Sequence, residues 1–309
     1  MRSPIVTTAL DNTRDSAPPS AGAGRQDIAI AAADGFRLAG TLFLPEGRPA
    51  ATVAIGAATA VPRGFYAKFA AFLATRGFAV LTYDYRGIGD SKPAAPQGFD
   101  PRMSDWGRLD MEAAFRFLLD RFPDLPLLAV GHSAGGQVVP LAEHAHRLSG
   151  LLLVASQSGT WTQWSGIGRI RMWAIMHMVL PALVLATGRL PGWVLGGEPL
   201  PRGVALEWAG WCRHPDYILS HAPDMRDRFA ALGFPVLSFG FTDDAFAPAG
   251  SIETLAGWYG GADKTVRMLT PGDIGQKQIG HFGFFRERVG RALWDEAAKW
   301  LMVAATRAG

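Results

Sequence analysis

The segment Leu127-Leu-Ala-Val-Gly-His-Ser-Ala-Gly-Gly136 decides the fold. Its apolar start predicts a short buried strand, and residues 137–147 beyond it predict a helix. Ser133 stands where the strand must turn sharply into the helix, so we expect a strained backbone there. Gly131 and Gly135, two residues before and two after the serine, keep strand and helix from clashing. This turn lifts the hydroxyl above the sheet edge, and Ser133 is therefore the predicted nucleophile.

An accidental match to the glycine-x-serine-x-glycine pattern is the alternative, because the chain contains 37 glycines. The surrounding sequence favours a genuine strand–turn–helix unit, since an apolar run precedes the serine and a helical pattern follows it.

Strands and helices alternate along most of the chain, which predicts an α/β fold with a mostly parallel sheet and helices on both faces. The alternation of strands and helices stops between residues 158 and 228, where no clear strand pattern is found. This interruption predicts a helical cap inserted into one core. The predicted organisation is a flexible arm over 1–26, a core over 27–157 and 229–309, and the cap over 158–228. Predicted strands cover residues 27–32, 38–44, 51–55, 78–83, 127–130, 151–155, 235–241 and 265–269; predicted helices cover 65–75, 105–121 with Ser104 as N-cap, 137–147, 251–258 and 286–305.

A candidate acid and a candidate base follow the nucleophile along the chain. The strand over 235–241 runs into Asp243 and Asp244, so either carboxylate lies on the same sheet edge as Ser133. We choose Asp244 as the acid; Asp243, with loop capping as its other role, is the alternative. His281 lies in the last loop before the C-terminal helix. It is expected to take the serine proton while the acid holds its imidazole in the right tautomer.

Backbone N–H groups are expected to hold the oxyanion of the reaction. Ala134 begins the helix after the nucleophile, where negative charge is stabilised. A second donor should come from the loop after the strand over 51–55, from Ala57 or from Ala58, with Ala57 as our choice. A plain tight turn is the alternative for that loop.

The other histidines do not predict a metal site. His132 is expected to point away from Ser133, and His144 and His146, two apart on a predicted helix, should face apart. His177, His214 and His221 fall in the cap. No dinucleotide or phosphate loop is present, because Gly87-Ile-Gly89 lacks a third glycine. The sequence therefore predicts neither a metal nor a cofactor.

Several motifs together resemble the α/β-hydrolase superfamily from about residue 27 to the end. These are Gly131-His-Ser-Ala-Gly-Gly136, Thr242-Asp-Asp-Ala-Phe-Ala-Pro248, Ile279-Gly-His-Phe-Gly-Phe-Phe-Arg286 and the loop Asp84-Tyr-Arg-Gly-Ile-Gly-Asp-Ser91, which is mainly structural in that superfamily. The combination is similar to a bacterial group of predicted α/β-hydrolases without a settled substrate. The resemblance implies the fold and the Ser/Asp/His set. It leaves esterases, lipases, thioesterases, peptidases and acyltransferases open, whereas dehalogenases and epoxide hydrolases use Asp as nucleophile.

The cap is rich in tryptophan and predicts an apolar lid. It holds six of the ten tryptophans, and Trp161, Trp164 and Trp208 are the predicted substrate-binding residues. Packing of the cap on the core, or a homodimer interface, is the alternative, and transient contact with a lipid surface is a third. The apolar stretch 172–187 is shorter than the roughly 20 residues of a membrane span. His177 and Pro181 also interrupt it, so no stable span is predicted.

Composition limits the partners and the compartment. Hydrophobic residues make up 49%, charged residues 18%, and the net charge is +3. No run of Lys/Arg is present, so no nucleic-acid partner is predicted. The single Cys212 fits a reducing compartment and reads as a structural thiol, and the N-terminal segment lacks the apolar core of a secretion signal, which together predict a cytoplasmic protein.

The expected reaction is hydrolysis of a small-molecule carboxylic ester with an apolar acyl or alcohol part, through an acyl-enzyme. A thioesterase or acyltransferase with the same three residues is the alternative within enzymes. A non-catalytic ligand-binding protein on the same fold is the alternative from another class.

Overall fold

The computed structural model describes residues 24–95, 97–260 and 263–307. The strands are β1 Gly24–Ala31, β2 Arg37–Leu44, β3 Ala51–Gly56, β4 Phe78–Tyr83, β5 Leu127–His132, β6 Leu148–Val154, β7 Arg189–Leu190, β8 Leu200–Pro201, β9 Val236–Phe241 and β10 Lys264–Leu269. The α-helices are α1 Ala67–Thr75, α2 Met103–Asp105, α3 Glu112–Arg121, α4 Ala134–Gln137, α5 Gly166–Ala174, α6 Leu180–Thr187, α7 Arg202–Arg213, α8 Met225–Ala230, α9 Ala249–Trp258 and α10 Glu287–Thr306.

Eight strands form one mixed sheet in the order β1-β2-β4-β3-β5-β6-β9-β10. Only the β1–β2 and β2–β4 pairs are antiparallel among the strand pairs of this sheet. The inner strands β3, β4, β5 and β9 are buried at every position. Continuous apolar runs of this kind are typical of parallel strands covered on both faces. The predicted α/β fold with a mostly parallel central sheet is confirmed.

The N-terminal boundary differs from the sequence prediction. β1 begins at Gly24, so the last three residues of the predicted arm (1–26) belong to the first strand. They pair with β2, in which Gly24 faces Leu44, because the hairpin continues outward past the apolar positions that mark it in the sequence. The rest of the predicted arm, residues 1–23, lies outside the described residues.

The helix before β5 begins earlier than predicted. It runs from α2 through a π-helical stretch, Trp106–Met111, into α3. Arg102 is its N-cap, and the Asp105 carboxylate accepts the Arg102 N–H at 2.8 Å. The prediction of Ser104 as N-cap was wrong, because Ser104 lies inside the helix. Its N–H and hydroxyl instead donate to the Glu207 carboxylate of the cap.

The predicted helix over 137–147 was also wrong. α4 lasts one turn, and 3₁₀ turns over Val139–Leu141 and Glu143–Arg147 follow it. Pro140 explains the break, since it has no N–H to continue the helix. In this irregular segment the rings of His144 and His146 stack with their centroids 6.1 Å apart, rather than facing apart as expected.

The cap region, residues 158–228, is mainly helical, apart from the two-residue strands β7 and β8. α5, a π-helical stretch over Ile175–Val179 and α6 form one continuous helix of 22 residues. This exceeds the predicted apolar stretch 172–187, because the helix extends back over a segment with two glycines and two arginines that does not read as apolar. By length and composition it is the one helix in the described chain that could cross a membrane.

Polar contacts join the cap to the core. The Glu198 carboxylate accepts the Gly89 N–H at 2.8 Å and pairs with Lys92 at 2.8 Å. The Asp100 carboxylate accepts the Gly203 N–H at the start of α7 at 2.6 Å. These contacts fix the chain that follows the long helix, up to the start of α7.

Candidate active site

Ser133 lies in a strained turn between β5 and α4. Its backbone has φ +50° and ψ −115°, a left-handed conformation that disfavours any residue with a side chain. The Ser133 N–H donates to the Val154 carbonyl of the neighbouring strand at 3.0 Å. A Cβ at Gly131 would overlap Gly136, and one at Gly135 would overlap the Gly56 carbonyl. The glycines two residues away on each side therefore permit the turn.

The structure brings His281 and Asp244 together. Nδ1 of His281 lies 2.7 Å from Oδ2 of Asp244, and both side chains are almost fully buried. The other carboxylate oxygen accepts the N–H groups of Phe246 at 2.8 Å and Ala247 at 3.2 Å, which fixes the carboxylate plane. With Nδ1–H donated to Asp244, Nε2 of His281 is left as the proton acceptor.

The neighbouring Asp243 carries out a different task. Its two carboxylate oxygens accept the N–H groups of Ile279 at 2.8 Å and Gly280 at 3.1 Å. These residues directly precede His281. Two consecutive carboxylates thus hold the same segment, one through its backbone and one through the imidazole.

The two candidate oxyanion donors lie in buried backbone beside Ser133. Ala134 begins α4, and Ala57 follows β3, whose Gly56 pairs with Gly131 in the sheet. The alternative donor, the Ala58 N–H, is already given to the Tyr66 hydroxyl at 2.8 Å. The Ala57 N–H is therefore the remaining candidate oxyanion donor of the two considered in this loop.

Tyr66 and His132 form a buried link that the sequence did not predict. Nε2 of His132 lies 2.9 Å from the His281 carbonyl, which can only accept, so Nε2 carries the proton. Nδ1 then accepts from the Tyr66 hydroxyl at 2.9 Å, and that hydroxyl accepts the Ala58 N–H. One directed chain of hydrogen bonds therefore joins the Ala57–Ala58 loop to the backbone of His281.

His132 remains neutral within this chain. Complete burial holds the pKa of its imidazole well below the usual range, and the nearby His281 lowers it further. The adjacency of His132 to Ser133 is the one signal in the sequence for this role. Tyr66 lies 66 positions from His132, and nothing in its local sequence marks it.

Comparison with known proteins agrees with this architecture. The family model described as serine aminopeptidase S33 matches residues 47–198, which include Ser133 but neither Asp244 nor His281. A search of curated proteins finds no match. The esterase domain of a Rhodothermus marinus protein superposes with a TM-score of 0.60 at 20% identity, covering 91% of this chain and 98% of that one. The chain has the α/β-hydrolase fold.

Two further solved structures share this fold. An esterase from Exiguobacterium antarcticum has a TM-score of 0.57 at 15% identity, covering 89% of this chain and 99% of its own chain. A monoacylglycerol lipase from Paleococcus ferrophilus has a TM-score of 0.56 at 14% identity, covering 86% and 99%. At these identities the likeness shows the fold.

Of the three tryptophans predicted to bind substrate, Trp164 is joined directly to the loop that contains Asp244. Its indole N–H donates to the Ala245 carbonyl at 3.2 Å, immediately after Asp244. The ring of Phe246, absent from the sequence prediction, lies 5.4 Å from the His281 ring and is 42% exposed. Apolar side chains thus flank the His281–Asp244 pair.

Trp161 and Trp208 make other contacts. Trp161 lies under the Arg169 guanidinium, 5.0 Å from the ring centroid. Trp208, on α7, lies beside the Tyr217 hydroxyl, which donates to the Gln137 amide at the end of α4 at 2.8 Å. Trp208 is therefore connected to the turn after Ser133. Among the described residues, the ring contacts of Trp161 are all with other residues of the cap.

The loop after β4 has the structural role that the resemblance implied. The buried Arg86 guanidinium binds Asp110 at 2.7 Å and Asp34 at 2.7 Å. The Ser91 hydroxyl donates to the Asp84 carbonyl at 2.8 Å and accepts the Ala39 N–H of β2 at 2.8 Å. These bonds fix the loop against the antiparallel edge of the sheet.

One group of potential metal ligands lies elsewhere in the described chain. Glu112, Glu143 and His144 place ligand atoms within 4.8 Å of one another. Both oxygens of Glu112 already interact with His144, one with its ring and one with its N–H, while Glu143 is exposed. His144 and Glu112 are thus satisfied by each other.

Proposed function

We propose that this protein hydrolyses carboxylic esters with an apolar acyl or alcohol part. The observation that carries the proposal is the buried His281–Asp244 pair with Nε2 of the imidazole free to accept a proton. The strained turn at Ser133 supports the assignment, because strain of this kind is found at functional sites. The similar structures are those of two esterases and a monoacylglycerol lipase, which favours the same chemistry here.

The proposed reaction begins when Ser133 Oγ attacks the ester carbonyl carbon and its proton passes to Nε2 of His281. Asp244 keeps the imidazole in the correct tautomer and stabilises the imidazolium. The N–H groups of Ala134 and Ala57 hold the oxyanion. The tetrahedral intermediate expels the alcohol, which takes the proton from His281.

The acyl-enzyme is then hydrolysed by the reverse sequence. His281 removes a proton from water as the water oxygen attacks the acyl carbon, and the carboxylic acid leaves as Ser133 recovers its proton. No cofactor takes part in this proposal. A thioesterase or an acyltransferase would use the same residues. The thioesterase differs in its leaving group, a thiol, and the acyltransferase differs in the acceptor that takes the place of water.

The cap supports an apolar substrate. Trp161, Trp164, Trp208 and Phe246 would supply apolar and aromatic surface, which favours an acyl chain or an aromatic alcohol. Residues 158–197 contain no Asp or Glu. The charged amino terminus of a peptide would find no carboxylate in this segment, which favours a neutral ester over the aminopeptidase substrate that the matching family's description suggests.

A series of p-nitrophenyl esters of increasing acyl length, combined with fluorophosphonate labelling, tests the proposal. Ser133→Ala should lower kcat by roughly a million-fold and abolish labelling. Ser238→Ala is the matched control, because its buried hydroxyl on β9 has no hydrogen-bond partner among the described residues. We expect it to label and turn over as the parent does.

Labelling that persisted in Ser133→Ala would overturn the nucleophile assignment. Labelling at Ser133 without hydrolysis of any oxygen ester would favour the thioesterase or acyltransferase. Neither labelling nor hydrolysis would favour the non-catalytic binding protein.

A further inference from the structure

The long cap helix, Gly166–Thr187, is apolar and largely uncovered. Its most apolar 18-residue window has a mean hydropathy of 1.6, yet only 17% of that window is buried. Apolar helices in a soluble fold are normally covered, so this exposure requires an explanation.

The uncovered residues follow one side of the helix. Met176, Leu180 and Val184, spaced four residues apart, are buried against the rest of the protein. Met178 and Leu185, spaced seven residues apart, are 59% and 65% exposed. The exposed cap face comprises the large apolar side chains Ile167, Ile170, Trp173, Met178, Val179 and Leu185.

The charged side chains of the helix and of the residues next to its ends are all basic. Arg169 and Arg171 lie in the first turns of the helix, and Arg189 directly follows its last turn; all three are exposed. None of them forms an ion pair within the described residues, and the segment 158–197 has no carboxylate. An apolar surface with basic residues at both ends is complementary to an anionic lipid surface.

We propose that the exposed cap face docks onto an anionic membrane surface, with the helix lying in the plane of the interface. The opposite side of the helix stays packed on α7, where the Arg213 guanidinium donates to the Met176 carbonyl at 3.3 Å. A spanning orientation would break this packing. Interfacial docking keeps the fold intact and covers the exposed residues with acyl chains.

A second copy of the chain fits the exposed cap face less well. In a two-fold contact with antiparallel helices, Arg169 and Arg171 of one copy would approach Arg189 of the other. In a parallel contact, each arginine would approach its own equivalent. The segment contains no carboxylate to neutralise either arrangement, and like charges close together in an interface are unfavourable.

The docked face leads towards the candidate active site. The helix begins two residues after Trp164, whose indole is bound to the Ala245 carbonyl beside Asp244. Phe246, next to Ala245, is also exposed, and its ring lies 5.4 Å from the His281 ring. An ester dissolved in the bilayer would therefore reach the site along an apolar path; this delivery rests on the proposed function, whereas docking itself does not.

Cosedimentation of the full chain with vesicles tests the docking. The probes are vesicles of phosphatidylcholine alone and vesicles in which about a third of the lipid is phosphatidylglycerol. We expect binding to the anionic vesicles to fall at least about a hundredfold when Ile167, Met178 and Leu185 are all replaced by Ser. Replacing Arg169, Arg171 and Arg189 by Gln should weaken anionic binding by about fivefold per arginine and leave binding to the neutral vesicles unchanged.

Val303→Ser is the control, since Val303 is an exposed apolar residue on α10, away from the exposed cap face, and it should bind as the parent does. Ser133→Ala should also bind unchanged, which separates docking from catalysis. Brominated lipids should quench the fluorescence of Trp173, which belongs to the exposed cap face, in the parent. Absence of anionic-vesicle binding, or equal binding by the triple Ser variant, would overturn the proposal. A parent that sediments as a dimer while the triple Ser variant is monomeric would assign the face to a second copy instead.

Discussion

Replacing Tyr66 by Phe isolates the hydroxyl that links the Ala57–Ala58 loop to His132. The ring is fully buried and packs on Phe285 with centroids 4.8 Å apart, a contact that Phe would keep. The change removes the acceptor of the Ala58 N–H and the donor to His132 Nδ1. A buried polar group left without a partner costs about 1–3 kcal/mol, so two such groups predict a loss of about 2–6 kcal/mol in the free energy of unfolding.

Urea unfolding followed by circular dichroism measures this loss. Tyr83→Phe is the control, because Tyr83 is equally buried and its hydroxyl makes only a 3.5 Å contact with the Tyr85 hydroxyl. We expect that control to lose about 1 kcal/mol or less. Tyr66→Phe should also lower kcat more than it raises KM, because the released loop contains Ala57. The reasoning fails if Tyr66→Phe is no less stable than Tyr83→Phe.

Three further outcomes are expected. Asp244→Asn should lower kcat by about ten-thousandfold in ester assays, whereas Asp243→Asn should cost less than about tenfold because its amide oxygen still accepts a loop N–H; the reverse order would exchange their roles. Gly135→Ala places a methyl group on the Gly56 carbonyl, so thermal melts should show a destabilisation of more than about 3 kcal/mol or no folded protein. His132 should keep a proton on Nε2 in long-range ¹H–¹⁵N spectra and titrate below its ordinary pKa of 6.5. Its contribution to the free energy of unfolding should therefore be lost as the pH falls below 6.5. A titration midpoint at or above 6.5 would contradict the buried network.

The core of the fold was predictable because its strands are short apolar runs between clear turn signals. β4 has the predicted bounds, and β5 and β9 differ from prediction by no more than two residues at either end. The turn at Ser133 was predictable as well, since the glycines at 131 and 135 are a local steric requirement. Such features depend on neighbours in the sequence, so the sequence displays them.

Other features depend on contacts between distant segments. The bonds that join Ala58, Tyr66, His132 and the His281 carbonyl connect loops far apart in the chain, and no periodic pattern marks them. The length of the cap helix was underestimated because its first turns contain glycine and arginine. Glycine disfavours helix, and arginine interrupts an apolar pattern. Pro140 was a visible signal that should have ended the predicted helix over 137–147.

The consecutive carboxylates at 243 and 244 join the proposed base, His281, and the proposed acid, Asp244, into one structural unit. Both extend from the end of β9, and together they hold the backbone before His281 and its ring. A displacement of β9 would therefore carry the pair along without disturbing its tautomer. The proposed nucleophile, Ser133, follows β5, and β6 separates β5 from β9. The Ser156 hydroxyl, just beyond β6, lies within 3.0 Å of the carbonyls of Gly131 and Ser133. The position of Ser133 relative to the His281 imidazole therefore depends on β6 and on the direct bond from His132 Nε2 to the His281 carbonyl, and substitutions at either place could change turnover without touching a reacting group.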